Sequence, residues 1–350
     1  MNRKLIVLFL LMVTTQFSWA CDLCSVYIGI QPRDFKSSIS LRYRYRVFEE
    51  KYVFNSSTNQ LIKTSGSRLA HGSSMSVSHV EHETETGKNN TFLYAEQYHS
   101  FDVVANIMFG KRVSVLVSTS FSDHYIYKND SLIDNISGVG DVMLMANYRL
   151  FYTKLANDSL AKNRFLHRLT VGGGIELPTG SFNKKSVKGY ETSYTPNTII
   201  GQPLMELDEH LQPGMGSFNY LVLVQYLVKR NQWGLNSNIS YKMITQNNNG
   251  FRFANRLNAN FAVFYLAKLS KSILLMPSTG LSYEFSEHDQ RNDTQVTDSG
   301  GEALFGNVGM ELFYKNVSFS TTYFHSVHNY LYGNQPSNKV RIVSQLSIYF

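Results

Sequence analysis

Three groups of side chains in this 350-residue chain stand at spacings that suit chemistry. The only two cysteines sit close together in Cys21-Asp22-Leu23-Cys24. Behind a secretory leader such a pair has three outcomes: a local disulfide, a metal or redox site, or lipidation of Cys21. Ser25 rather than His follows Cys24, which argues against attachment of a c-type haem, and Ser18 departs from the aliphatic residue that lipidation needs. A second group is His79, Glu81, His82 and Glu83, with His71 upstream. Imidazole and carboxylate together bind divalent metals, but a stretch rich in Ser, Thr and Gly also collects exposed polar residues. The third group is cationic and periodic, with Arg42, Arg44 and Arg46 at alternate positions.

The elements that must position these groups read as strands. Arg3 and Lys4, an apolar run from Leu5 to Val13 and the small-residue ending Ser18-Trp19-Ala20 predict a secretory signal peptide over residues 1–20, too short to cross a membrane as a helix. Its removal takes the formal charge from +7 to +5 by deleting two cations. Every later apolar run is broken well short of the roughly 18 residues a spanning helix needs. Tyr and Phe are abundant while charged residues make up only 17%, a balance that suits a barrel with aromatic girdles and a wet lumen, or a large soluble β-sandwich or propeller. Periodicity and connection lengths separate these.

Along the last dozen residues Val340, Ile342, Leu346, Ile348 and Phe350 alternate with mostly polar residues, and Ile39, Leu41, Tyr43, Tyr45 and Val47 alternate with Ser38, Ser40 and the three arginines. A period of two over about ten residues places one face in lipid and the other in a lumen. Further segments of this kind fall near 92–109, 112–124, 140–152, 165–177, 216–229, 233–243, 251–267, 272–285, 302–314 and 316–328. The total is twelve, an even number as in single-chain bacterial barrels. Connections sort as well: starting from a periplasmic N-terminus, the outward ones (about 50–90, 125–139, 178–215, 246–250, 286–301 and 329–337) are mostly longer than the inward turns. The expectation is therefore an all-β, transmembrane antiparallel barrel over residues 37–350, preceded by a periplasmic leader over 21–36.

On that frame the polar faces gather Arg42, Arg44, Arg46, Arg149, Arg168, Lys242, Arg252, Arg256 and Arg341, with Lys229 and Lys339, against few acids, mainly Asp102, Glu176 and Glu311. A cationic lumen between low-dielectric walls favours anions; cations paired with loop carboxylates in a closed barrel are the alternative. The expected function is an outer-membrane channel or transporter of a Gram-negative bacterium for small polar or anionic solutes. Its rival is a closed barrel that binds a ligand, metal or partner. The expected partners are the lipid bilayer, a small solute, and the outer-membrane assembly machinery, which reads a terminal aromatic such as Phe350; neither nucleic acid nor a cofactor is implied.

Several segments resemble known families. Cys21-Asp22-Leu23-Cys24, then Tyr27-Ile28-Gly29-Ile30-Gln31-Pro32 and Leu41-Arg42-Tyr43-Arg44-Tyr45-Arg46, resemble bacterial outer-membrane proteins that begin with a Cys-x-x-Cys-Gly-Cys leader, although Ser25 and Val26 replace the Gly-Cys here. Ser137-Gly138-Val139-Gly140-Asp141-Val142, Gly174-Ile175-Glu176-Leu177-Pro178-Thr179-Gly180 and Gln212-Pro213-Gly214-Met215-Gly216-Ser217 resemble the transporter family grouped with the phenol meta-pathway channel proteins. That likeness implies a barrel and a transport role, with glycines permitting tight strand entry and bends. His71-Gly72-Ser73 has the His-x-Ser spacing of outer-membrane phospholipases, but falls in an expected loop rather than on a strand, so no enzyme is expected.

Overall fold

The computed structural model describes residues 36–55, 60–63, 90–153, 165–183 and 209–350. Twelve strands form the wall: β1 Ser38–Asn55, β2 Asn90–Phe109, β3 Val113–Lys128, β4 Val142–Tyr152, β5 Leu166–Leu177, β6 Asn219–Arg230, β7 Trp233–Ile244, β8 Arg256–Tyr265, β9 Ile273–Ser286, β10 Gly301–Tyr314, β11 Val317–Leu331 and β12 Ser337–Tyr349. Each pairs antiparallel with its neighbour in sequence, and β12 returns to β1 with Ser38 opposite Tyr349, so the sheet closes without an edge. Closure satisfies every strand's backbone laterally, which hydrocarbon demands. The Phe350 N–H donates to the Ser37 carbonyl at 3.0 Å and ties the last residue to the seam.

Alternation along the strands sorts the side chains. Leu41, Val103, Val222, Ile239 and Phe319 stand exposed on the outer surface, and Val308 is 64% exposed in the middle of β10. Ser40, Asn106, Asn238, Asn258 and Ser347, at the other parity, are buried within. An apolar exterior around a polar interior is the inverse of a soluble protein and fits a lipid-embedded barrel. Phe151, Phe165, Trp233, Tyr265 and Phe350 are near the end that carries the short turns. Three of these turns need a residue at positive φ, supplied by Gly110 (φ 66°), Asn231 (φ 55°) and Lys315 (φ 48°).

All twelve expected strands are present, with two corrections. The strand anticipated over 251–267 begins at Arg256, because Asn247 Oδ1 accepts the N–H groups of Asn249 and Phe251 and the Asn255 side chain accepts that of Ile244. These asparagines satisfy backbone that a ladder would otherwise use. Phe251–Arg252 pairs instead with Gln290–Arg291, which pairs with Thr294–Gln295 in a small sheet of its own. Arg252 thus leaves the set expected on the barrel strands. The stretch 125–139, anticipated as a loop, is a hairpin in which Ser131–Val139 pairs back on β3. Asn129 (φ 49°) and Asp130 (φ 64°) form its two-residue turn, the left-handed pair that tight hairpins favour.

Candidate functional site

The three glycine-bearing motifs, separated by up to 80 residues of sequence, meet around one carboxylate. Asp141 precedes β4, and its Oδ1 accepts the Gly180 N–H at 2.8 Å while Oδ2 accepts that of Met215 at 2.7 Å. Around it the Ser181 N–H donates to the Val139 carbonyl (2.7 Å) and the Gly214 N–H to the Ser181 carbonyl (3.0 Å). Contact is close enough to require glycine at two places: a Cβ on Gly180 would meet the Asp141 nitrogen and Gly140 carbon at 2.8 Å, and one on Gly214 would meet Gly180 backbone at 2.9 Å. Burial is the largest influence on the Asp141 carboxyl and raises its pKa; the two N–H donors offset only part of that.

This knot fixes a strap, residues 209–217, against the barrel's inner wall. Leu211, in the short 3-10 turn Glu209–Leu211, packs in a cluster with Phe48, Tyr98, Ile126 and Ile136. His124 Nδ1 lies 3.0 Å from the Leu211 carbonyl; a carbonyl only accepts, so that nitrogen carries the proton. At the strap's other side His210 Nε2 and Asp289 Oδ2 are 2.6 Å apart, and Arg291 donates to both oxygens of Glu209 at 2.6 and 2.7 Å. Asp289 also accepts the Ala254 N–H. Burial pushes its carboxyl up, but His210, that N–H and Arg256 together hold it below the usual carboxylate value.

Between strap and wall lies a cavity of about 180 Å3, lined by Arg42, Arg44 and Arg46 of β1 on one side and by Lys242 and Arg256 on the other. Five cations face four carboxylates, those of Asp102, Asp141, Glu176 and Glu209. The pairs are specific. Arg44 Nη2 and Asp102 Oδ1 are 2.7 Å apart, with Arg42 also near Asp102 at 3.9 Å. Lys242 Nζ reaches Glu176 Oε2 at 2.5 Å over the intervening β6, where Asn219 donates to the same oxygen. The Arg46 guanidinium sits 4.9 Å from the Tyr98 ring centroid. Arg341 reaches from β12 to Glu284 on β9 at 2.6 Å and lies over the Phe305 ring at 4.3 Å.

Farther toward the turn end amide and hydroxyl pairs line part of the interior. Asn260 donates to Asn238 (2.9 Å), Gln225 to Asn236 (3.2 Å) and Asn307 to Ser282 (3.1 Å), all buried. Beyond them Leu227, Phe264, Leu266, Met276 and Phe313 form an apolar layer. Gly234 makes room for it, since a Cβ there would strike the Phe264 ring. Below the charged cavity the lumen thus carries amide pairs and an apolar cluster, with Arg168 buried opposite Leu227 at the level of that cluster.

The expected cations therefore divide by level. Arg42, Arg44, Arg46, Lys242 and Arg256 meet at one cavity, and Arg341 sits in a buried pair beside Phe305. Arg149 and Arg168 are buried near the turn ends of β4 and β5, where Arg149 reaches the Lys111 carbonyl at 3.5 Å. The short list of acids was incomplete: Glu284 is 1% exposed, and Glu50, Asp134, Asp141 and Asp289 are buried too. Glu284 was legible, because it shares the even parity of Ser282 and Ser286 on β9. The part of Asp141, His210 and Asp289 was not, since it depends on a loop's return into the barrel. Cys21, Cys24, His71, His79, Glu81 and His82 lie outside the described residues. Among the described residues no cluster of three or more His, Cys, Asp or Glu has the geometry of a metal site.

No protein-family model matches the sequence, and a search of curated proteins finds no match. Among solved structures the chain is similar to an outer-membrane channel from Pseudomonas putida F1, with TM-score 0.58 and 13% identity over 92% of this chain and 100% of that one. The β-domain of the Bordetella autotransporter BrkA (TM-score 0.42, 8% identity, 91% and 100% coverage) and the P. putida toluene transporter TodX (0.38, 10%, 91% and 91%) are more distant. At these identities it is the fold that is shared: the chain is an outer-membrane β-barrel.

Proposed function

We propose that this barrel is a channel for small polar or anionic solutes across a Gram-negative outer membrane, with the strap 209–217 standing over the outer half of its lumen. The observation that carries the proposal is the cavity beneath the strap, where Arg42, Arg44, Arg46, Lys242 and Arg256 converge. Walls of low dielectric focus that field and raise the local concentration of anions. The neutral Asn238, Asn260 and Gln225 below it offer donors and acceptors without a fixed charge to an anion leaving the cavity. The outer-membrane channel from P. putida F1 supports the reading at the level of the fold. The terminal Phe350, exposed on the barrel's outer surface, fits the aromatic end that barrel assembly machinery reads.

A closed barrel that binds its ligand is the second reading, favoured by the burial of Asn238, Asn258 and Ser282 at the amide level. Swelling of liposomes that contain the purified protein separates the two. Swelling in small anionic or polar osmolytes, faster than in protein-free liposomes, is expected of the channel. A rate equal to that of empty liposomes for every solute belongs to the closed barrel and would remove the channel.

A further inference from the structure

We propose that the cavity under the strap is a binding seat for a small oxyanion, a carboxylate or a phosphate group, held against the guanidinium of Arg256; the proposal deepens the channel reading and rests on it for the ligand's route. Arg256 is 5% exposed, opens β8, and lines the cavity. Among the described residues its Nε is buried without an acceptor, and Glu176 and Asp289 pair with Lys242 and His210 instead of with it. Its ring neighbour is Phe253, with the guanidinium carbon 5.9 Å from the centroid.

Every described acid around it is already engaged. Glu176 is held by Lys242 and Asn219, and Asp289 by His210 and the Ala254 N–H. Asp141 accepts two strap N–H groups, Glu209 is clasped by Arg291, and Asp102 pairs with Arg44. Neither Glu176 nor Asp289 hydrogen-bonds to Arg256, since each is held by another partner. A guanidinium buried beside an open volume, with the described local carboxylates committed elsewhere, is a charge awaiting a partner from solution. On the facing strand the Nε of Arg44 is likewise buried without an acceptor, so the cavity has a second guanidinium edge. The planar fork of arginine matches two oxygens of one oxyanion rather than a spherical halide. The cavity, at about 180 Å3, is smaller than the roughly 300–1,000 Å3 of pockets for drug-sized ligands. It suits inorganic phosphate or a short organic acid.

The test is isothermal titration of the full-length protein in detergent with phosphate, with acetate, and with acetamide as the neutral analogue of acetate. Saturable binding of at least one oxyanion, with none of acetamide, is expected. It should weaken roughly tenfold or more in Arg256→Gln, less in Arg256→Lys, and not at all in Lys268→Gln, which removes one cation from a turn at the far end. Heat-modifiable migration on gels reports that each variant is folded; if Arg256→Gln fails to fold, the Arg256→Lys loss and the acetate-to-acetamide contrast decide. Phosphate alone or acetate alone identifies the oxyanion's source. An absence of saturable binding by the unaltered protein, or equal binding by a folded Arg256→Gln, overturns the seat. Conductance without binding removes the seat and leaves the channel, whereas binding without conductance does the reverse.

Discussion

Replacing Asp141 should release the strap while leaving the barrel closed. The carboxylate's two acceptor bonds, from Gly180 at 2.8 Å and Met215 at 2.7 Å, are charge-assisted and partly buried. A hydrogen bond to a charged group contributes about 1.5–3 kcal/mol, so losing both in Asp141→Ala weakens strap docking by roughly 3–6 kcal/mol. Asp141→Asn keeps one acceptor but turns an amide N–H toward the other donor, for a loss of about 2–4 kcal/mol. Each 1.36 kcal/mol is a factor of ten in an equilibrium, so the asparagine variant opens the strap roughly thirty- to a thousandfold more often. Hydrogen exchange at Met215, Gly214 and Gly180 reads this directly, because their N–H groups lie within the knot. Strands β10 to β12, which make no contact with the knot's hydrogen bonds, serve as the internal standard and should exchange as before. Unchanged protection at Met215 and Gly180 in Asp141→Ala would refute the reasoning, since it would mean that the strap is held by its apolar contacts alone.

Other consequences are equally direct. Gly180→Ala forces a Cβ to within 2.8 Å of the Asp141 nitrogen and Gly140 carbon, an overpacking expected to cost about 1–3 kcal/mol and to appear as a lower thermal midpoint. The strap's link to the outer sheet should respond to acid: folding lowers the Asp289 pKa, so its contribution is present above about pH 4, the ordinary carboxylate value, and is lost as pH falls through the lower folded value. Proteolysis of the strap should therefore rise only in strong acid, with the step abolished in Asp289→Asn; a step near pH 6 would assign it to another group. On the lipid side, Val308→Arg places a charge at an exposed mid-strand position and should destabilise the barrel by roughly 2–4 kcal/mol, measured by urea unfolding in lipid, while a change below 1 kcal/mol would mean the position lies outside the apolar belt.

How much was legible in the sequence follows from where the physics is local. Strand existence was readable because the two faces meet opposite solvents, so Ile39 and Leu41 alternate with Ser40 and Arg42 whatever the rest of the chain does. The hairpin at Asn129-Asp130 was missed although its left-handed pair is a short-range signal; its strands Tyr125–Lys128 and Ser131–Ile136 alternate too weakly to stand out. The start of β8 was missed because Asn247 and Asn255 take over backbone hydrogen bonds from the ladder. At the site, parity alone identified Arg42, Arg44 and Arg46 as inward, but level along the barrel decides which cations meet, and level depends on register. The glycine motifs were visible as motifs; that Gly140, Gly180 and Gly214 stack around Asp141 is a tertiary fact carried by a loop that folds back, and no periodicity encodes it.

The central claim, a channel whose cationic cavity selects anions, is tested most directly by planar-bilayer conductance of the purified full-length protein under a KCl gradient. The account predicts discrete conductance steps and a reversal potential displaced toward the chloride equilibrium potential, with the displacement reduced in Arg42→Gln/Arg44→Gln and in Arg256→Gln. A reversal potential displaced toward potassium, or a silent bilayer with protein that migrates as a folded barrel, would contradict it.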